Sequence, residues 1–284
     1  MFFLKLLSRL PLSVLYVFSS FIYFMLAYVL RYRKKVIIQN LQNSFPEQTA
    51  KWHKKTSKKY YRHLSEIIVE IIKSYSISPT EISKRVEVIN GHLLVEEMKA
   101  GKSIMVLTAH QGNWEWILMV FCQILDKQVD VVYQQIKNKS FNNFFIEMRS
   151  RFGAYAIEKR QFVKEVVKRK DILTCLAILA DQTPLKVQKA HWTTFLHQET
   201  PFFDGPGKAA KMLNIPVFYV SMQKKQRGYY VAEVSNISND SIIDEKSLTD
   251  AYIRKIEETI QLQPECWLWS HRRWKRKRQK DPLG

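Results

Sequence analysis

Between Thr108 and Glu115 the chain reads TAHQGNWE. This run holds one imidazole, His110, and one carboxylate, Glu115, separated by four residues. A neutral imidazole can take a proton from a hydroxyl. A carboxylate on its other ring nitrogen fixes the tautomer and raises its basicity. The pair therefore offers general-base activation of an alcohol. Gly112 allows a tight turn, and Asn113 is a good helix N-cap. Glu115 then falls in the first helical turn, from which its carboxylate can fold back to His110.

Other chemistries lack their residues. The sequence has no GxSxG elbow, no Walker A loop, no GxGxxG and no HExxH. His191 and His197 flank WTTFL but have no clear third ligand, so they are read as ordinary loop or surface residues and no metal site is assigned. The three cysteines, Cys122, Cys175 and Cys266, form no CxxC and are too few for a disulfide framework. Each lies in an apolar run, which points to buried thiols in a reducing compartment.

His110 needs a strand to carry it. The run SIMVLT just before it is one, and sites in α/β sheets form at the carboxyl ends of such strands. Short apolar runs at 103–108, 129–133, 172–180, 217–222 and 229–234 read as strands. Helical patterns lie between or after them at about 114–125, 140–151, 161–169, 207–213 and 247–262. The expected fold is α/β, with a mixed, largely parallel central sheet flanked by helices. From Tyr60, a stripe of Leu64, Ile67, Ile68, Ile71, Ile72 and Tyr75 marks an amphipathic helix whose apolar face belongs to the core.

The chain has 284 residues, with 46% apolar and 25% charged. That suits one large domain with an appendage and excludes wholesale disorder. The appendage is N-terminal. The 21 residues from Leu10 to Leu30 carry no charge, and as a helix they would measure about 31 Å, the thickness of a bilayer core. Arg31, Arg33, Lys34 and Lys35 follow at once where a cleavable signal would need small residues. Residues 1–31 are thus read as a membrane anchor, spanning or half-inserted, and residues 32–284 as the catalytic domain. The positive-inside rule places that domain in the cytoplasm. Lys and Arg number 45 against 26 Asp and Glu, for a net charge of +19. Ten of the basic residues lie in 31–63 and seven in the tail HRRWKRKRQK, 271–280. Such a balance asks for a polyanionic partner. Trp267, Trp269 and Trp274 indicate that the first half of the tail packs on the domain or on a membrane interface.

His-x4-Glu after a strand, preceded by an anchor, resembles the late acyltransferases of bacterial lipid A synthesis, the lauroyl/myristoyl transferase family. These belong to the wider lysophospholipid and glycerolipid acyltransferases, whose signature is His-x4-Asp/Glu. RKKVIIQNLQNSFP, HQGNWE, MRSRFG, LADQTP, FFDGPGKAAKMLNIPVFYV and PECWLWSHRRWK resemble the family's blocks in order, over nearly the whole chain. The resemblance implies transfer of an acyl chain from an acyl carrier protein or coenzyme A thioester to a hydroxyl of an anionic, phosphorylated lipid at the bacterial inner membrane. No cofactor, metal or acyl-enzyme is implied. His110 would be the general base, assisted by Glu115. Arg151 would be the cation that positions a phosphate or steadies developing charge, with Asp181 orienting Arg151 or the acceptor. Arg149 is the rival for that role; with Gln182 and Asn113 it completes the candidate substrate-binding residues. Another lipid acceptor, such as a lysophospholipid or an ornithine-type lipid, is the near alternative. Two more distant ones are metal-dependent hydrolysis and a non-catalytic anchored protein that uses its basic surface for nucleic acid or acidic lipid.

Overall fold

A computed structural model of the chain describes residues 1–184, 187–188, 190–238 and 244–278. The first half runs α1 (Phe2–Ser8), α2 (Leu12–Phe24), α3 (Lys34–Ser44), α4 (Ala50–Ser74), α5 (Pro79–Arg85), β1 (Val86–Ile89), α6 (His92–Lys99), β2 (Ile104–Thr108), α7 (Trp114–Ile124) and β3 (Gln128–Tyr133). Then come α8 (Lys139–Ser150), β4 (Ala154–Glu158), α9 (Phe162–Lys168), β5 (Thr174–Leu179), β6 (His191–Phe195), β7 (Gln198–Phe202), α10 (Gly205–Leu213), β8 (Val217–Gln226), β9 (Tyr229–Asn236) and α11 (Glu245–Leu262). A π-helical turn, Met25–Val29, extends α2.

Seven strands form one sheet in the order β1-β9-β8-β2-β5-β3-β4. From β8 to β4 all neighbours are parallel; β9 turns back against β8, and β1 follows β9 in parallel. The architecture is the expected mixed, largely parallel α/β sheet flanked by helices. β6 and β7 form a separate hairpin.

The sheet's centre explains itself. β2, IMVLT, is buried at every position, as a parallel strand covered on both faces must be. Alternation sends Ile104 and Val106 to a core shared with α7, while Met105 and Leu107 join Ile253 and Ile256 of α11 on the other face.

One pattern differs from expectation. The α4 stripe is not the helix's only buried face: Ser65, Glu66, Glu70 and Lys73 are buried too, whereas Leu64, Ile68, Ile71, Ile72 and Tyr75 are only partly covered. The cause is α2, which lies along α4 and covers a side that reads as polar. The first half of the basic tail packs on the domain, one of the two placements expected: Trp267 and Trp269 are buried, and Trp274 Nε1 donates to Thr200 Oγ1 at 2.7 Å. Residues 279–280 of that tail lie outside the described residues. The three cysteines are free; burial pushes Cys122 and Cys266 up to about 12, which keeps them as thiols.

Candidate active site

β2 and β5 are paired in register, Thr108 opposite Leu179. Two residues beyond that pair, one strand presents His110 and the other Asp181. Parallel neighbours with matched ends therefore bring the two side chains together. The Nδ1–H of His110 donates to Asp181 Oδ1 at 2.6 Å, and the His110 backbone N–H donates to Oδ2 at 3.0 Å. Trp267 Nε1–H donates to the same Oδ2 at 2.9 Å. A carboxylate at Nδ1 requires the proton there, so Nε2 keeps its lone pair. Gln182 Nε2 lies 3.1 Å from that lone pair and donates to it. Burial works to raise the Asp181 carboxyl. The positive charge of a protonated His110, its two hydrogen bonds and the Trp267 N–H outweigh burial and hold the group at about 2.

The loop that carries His110 is strapped down. Gly112 has φ +59°, and a Cβ there would come within 2.6 Å of Met222 Cγ and 2.9 Å of the Met222 carbonyl oxygen. Only glycine meets both demands. Gly112 N–H donates to the Cys266 carbonyl, and Leu268 N–H to that of His110, each at 3.1 Å. The segment 266–268 thus holds both ends of the turn, while its Trp267 clamps Asp181.

Several assignments made from sequence change. Glu115 does not fold back to His110. Arg149 takes its carboxylate in a bidentate pair, Nε to Oε2 at 2.9 Å and Nη2 to Oε1 at 2.6 Å. A charge-assisted fork is stronger than one bond across a turn, and Asp181 already fills His110 Nδ1. Burial works to lower Arg149, but the Glu115 charge and hydrogen bonds outweigh it and raise the group. Arg151 is the C-cap of α8; its guanidinium bonds the carbonyls of Ser74 at 2.9 Å and Ile77 at 3.3 Å and lies outside the cavity wall. Asp181 consequently orients His110 rather than Arg151. Asn113 is fully buried: its Oδ1 caps α7 by accepting from Trp116 N–H, and its Nδ2 donates to Glu70. It therefore positions the helix and has no access to a substrate. His191 bonds Asp250 at 2.6 Å, and among the described residues no three His, Cys, Asp or Glu side chains converge.

His110 opens onto a cavity of about 320 Å³ between α7 and the sheet, within the range of small-ligand sites. Its rim carries His110, Glu115, Arg149, Gln182 and Lys159. Its depth is apolar, with Ile117, Leu118 and Phe121 of α7 above the row Val106, Ala177, Val131. These three are successive partners across β2, β5 and β3. The next row on that face, Ile104, Cys175 and Val129, is fully buried and closes the floor. Sequence reasoning passed over Lys159, a half-buried cation on the rim that burial lowers, and the Trp267 clamp. The signal for Trp267 was its place in an apolar, Trp-rich run; nothing in the sequence singled out Lys159.

The fold thus sets an imidazole, held by a buried carboxylate, at the mouth of an apolar cavity. The family model for the bacterial lipid A biosynthesis acyltransferases matches residues 1–276, and the chain belongs to that family. It is an acyltransferase of the non-aminoacyl kind. No curated protein matches the chain.

Proposed function

We propose that the protein moves a fatty acyl chain from an acyl carrier protein or coenzyme A thioester to a hydroxyl of a lipid A precursor at the membrane. One observation carries this reading: the His110–Asp181 pair faces a closed apolar slot. The acceptor hydroxyl takes the place of the Gln182 amide at Nε2. His110 removes its proton as the oxygen attacks the thioester carbonyl carbon. Asp181 stabilises the imidazolium that forms. When the intermediate collapses, the C–S bond breaks and the leaving sulfur takes the proton back from Nε2. Arg149, locked by Glu115 on the rim, supplies fixed positive charge for the carbonyl oxygen or an acceptor phosphate. The donor chain lies under α7, where each buried methylene contributes about 0.8 kcal/mol. The net charge of +19 favours both an acidic carrier and an anionic lipid. The apolar helix Leu12–Val29 supports work at a bilayer.

The test is mass spectrometry of lipid products from the detergent-solubilised enzyme, an acyl carrier protein thioester and an underacylated lipid A precursor. Expected is one added acyl chain with wild type and none with folded His110→Ala. Transfer only to lysophospholipids, or only from coenzyme A thioesters, would replace the acceptor or the donor. Undiminished transfer by His110→Ala would reject the base.

A further inference from the structure

α2 carries no charged residue, and the fold covers only one side of it. Leu12, Leu15 and Ser19 are buried on the side of α4. Val14, Val17, Phe18, Phe21 and Phe24 recur at three- and four-residue spacing on the other side and stand exposed, Val17 at 71% and Phe21 at 64%. Phe2 and Phe3 of α1 are exposed as well. A contiguous outer face of this kind marks an interaction surface.

The same segment is fastened to the domain along its whole length. Lys5 Nζ pairs with Glu147 at 2.6 Å, and Lys73 Nζ donates to the Leu10 carbonyl at 3.1 Å. The hydroxyl of Tyr16 donates to Glu70 at 2.9 Å. Arg62 lies over the Tyr23 ring at 5.3 Å, and Tyr61 donates to the Tyr32 carbonyl at 2.8 Å. α2 therefore runs antiparallel to α4, held at both ends. If it crossed a bilayer, Arg9 would lie on the far side from Lys35, every one of these contacts from Lys5 to Tyr23 would break, and Glu70 and Lys73 would lose their cover. α4 cannot accompany it into hydrocarbon, because Lys54, Lys55, Lys58, Lys59 and Arg62 are exposed along it.

We infer that residues 1–30 do not cross the membrane, and that α1 and α2 lie in the plane of one leaflet with their outer apolar face among the acyl chains. This inference rests on the reading of the chain as a membrane acyltransferase. The partner is a leaflet of anionic lipid. Exposed Arg9 flanks one end of the apolar face, and exposed Arg31, Lys34 and Lys35 the other, so both ends meet headgroups on the same side. The arrangement also serves the site. α8 binds Lys5 through Glu147 and lines the cavity through Phe145 and Arg149. Glu70, which accepts from Tyr16, also accepts from Asn113 Nδ2 at 2.8 Å, so the docked helix is tied to the N-terminus of α7.

Arg9→Cys and Lys35→Cys, made singly in the full chain, place a thiol at each end of α2. A membrane-impermeant maleimide is applied to spheroplasts and to inverted vesicles, with wild type as the background for the native thiols. Expected is labelling of both variants in inverted vesicles and of neither in spheroplasts. Labelling of Arg9→Cys in spheroplasts, with Lys35→Cys labelled only in inverted vesicles, would overturn the inference. Acyl transfer measured in the same membranes reports on the enzymatic reading separately. In flotation with phosphatidylglycerol vesicles, Phe18→Ser/Phe21→Ser is expected to weaken binding by at least about tenfold. Unchanged flotation of the folded double variant would also overturn the inference.

Discussion

The loops after β2 and β5 leave the carboxyl ends of these neighbouring strands side by side, and each route ends at a carboxylate. Asp181 sits two residues past β5, where strand register alone sets its distance from His110. Glu115 sits in the first turn of α7, and that turn delivers it to Arg149 on α8. One carboxylate holds His110 and the other holds a cation on the cavity rim. Nearness in sequence to His110 favoured Glu115. Hydrogen bonding between neighbouring parallel strands favours Asp181, 71 residues away.

Removing each carboxylate should separate these roles. Asp181→Asn is expected to lower kcat by about 10²–10⁴ with KM for both substrates nearly unchanged, since its carboxylate holds His110 and does not line the cavity; steady-state kinetics on the folded variant measures this. Asp181 also contributes to stability with a definite sign. Its carboxyl is depressed to about 2 in the folded chain, against about 3.9 when unfolded, so its stabilisation is complete above about pH 4 and is lost as the pH falls through 2. The stability gap between wild type and Asp181→Asn, read by denaturant unfolding, should narrow over that window.

Glu115→Gln leaves Arg149 mostly buried and unpaired. It should destabilise the fold by about 3–5 kcal/mol and lower kcat/KM indirectly, through a disordered rim. Glu115→Gln/Arg149→Met should restore much of the melting temperature without restoring full activity. If Glu115→Gln were as stable as wild type, the ion pair would not have the role given to it here.

The depth of the cavity offers a smaller effect. Ala177 is the smallest side chain in the row Val106, Ala177, Val131. Ala177→Leu should reduce kcat/KM for the longest accepted donor by about tenfold or more and spare shorter ones. An equal loss at every chain length would place the acyl chain elsewhere. Smallest of all, Arg151→Ala should cost about 1–2 kcal/mol of stability through its lost carbonyl bonds and leave kcat close to wild type. A large fall in kcat would return Arg151 to the site.

Much of this was legible in the sequence. Five strands and five helices lie where apolar runs and helical periodicity put them, because buried parallel strands are continuous hydrophobic runs. The unforeseen elements lacked such signals. β1, VEVI, and β4, AYAIE, are short and carry charge. The β6–β7 hairpin turns through Leu196 and His197 at φ +47° and +63°, without the glycine or asparagine that announces such a turn. Glu257 accepts from the Leu196 N–H at 2.6 Å and supports the turn from α11. At the site, His110 and the N-cap Asn113 stood out because their signals are local. The partner of His110 did not, since which strand lies beside β2 is settled only by the assembled sheet. The buried charges of α4 were equally hidden, because their cover is a helix that reads as an independent anchor.

The most direct measurement is nitrogen NMR of the His110 imidazole, assigned by difference from His110→Ala, in wild type, Asp181→Asn and Glu115→Gln. Expected is an Nδ1-protonated tautomer in wild type and in Glu115→Gln, lost or mixed in Asp181→Asn. A tautomer that survives in Asp181→Asn and is lost in Glu115→Gln would contradict the assignment of Asp181 as the residue that holds the base.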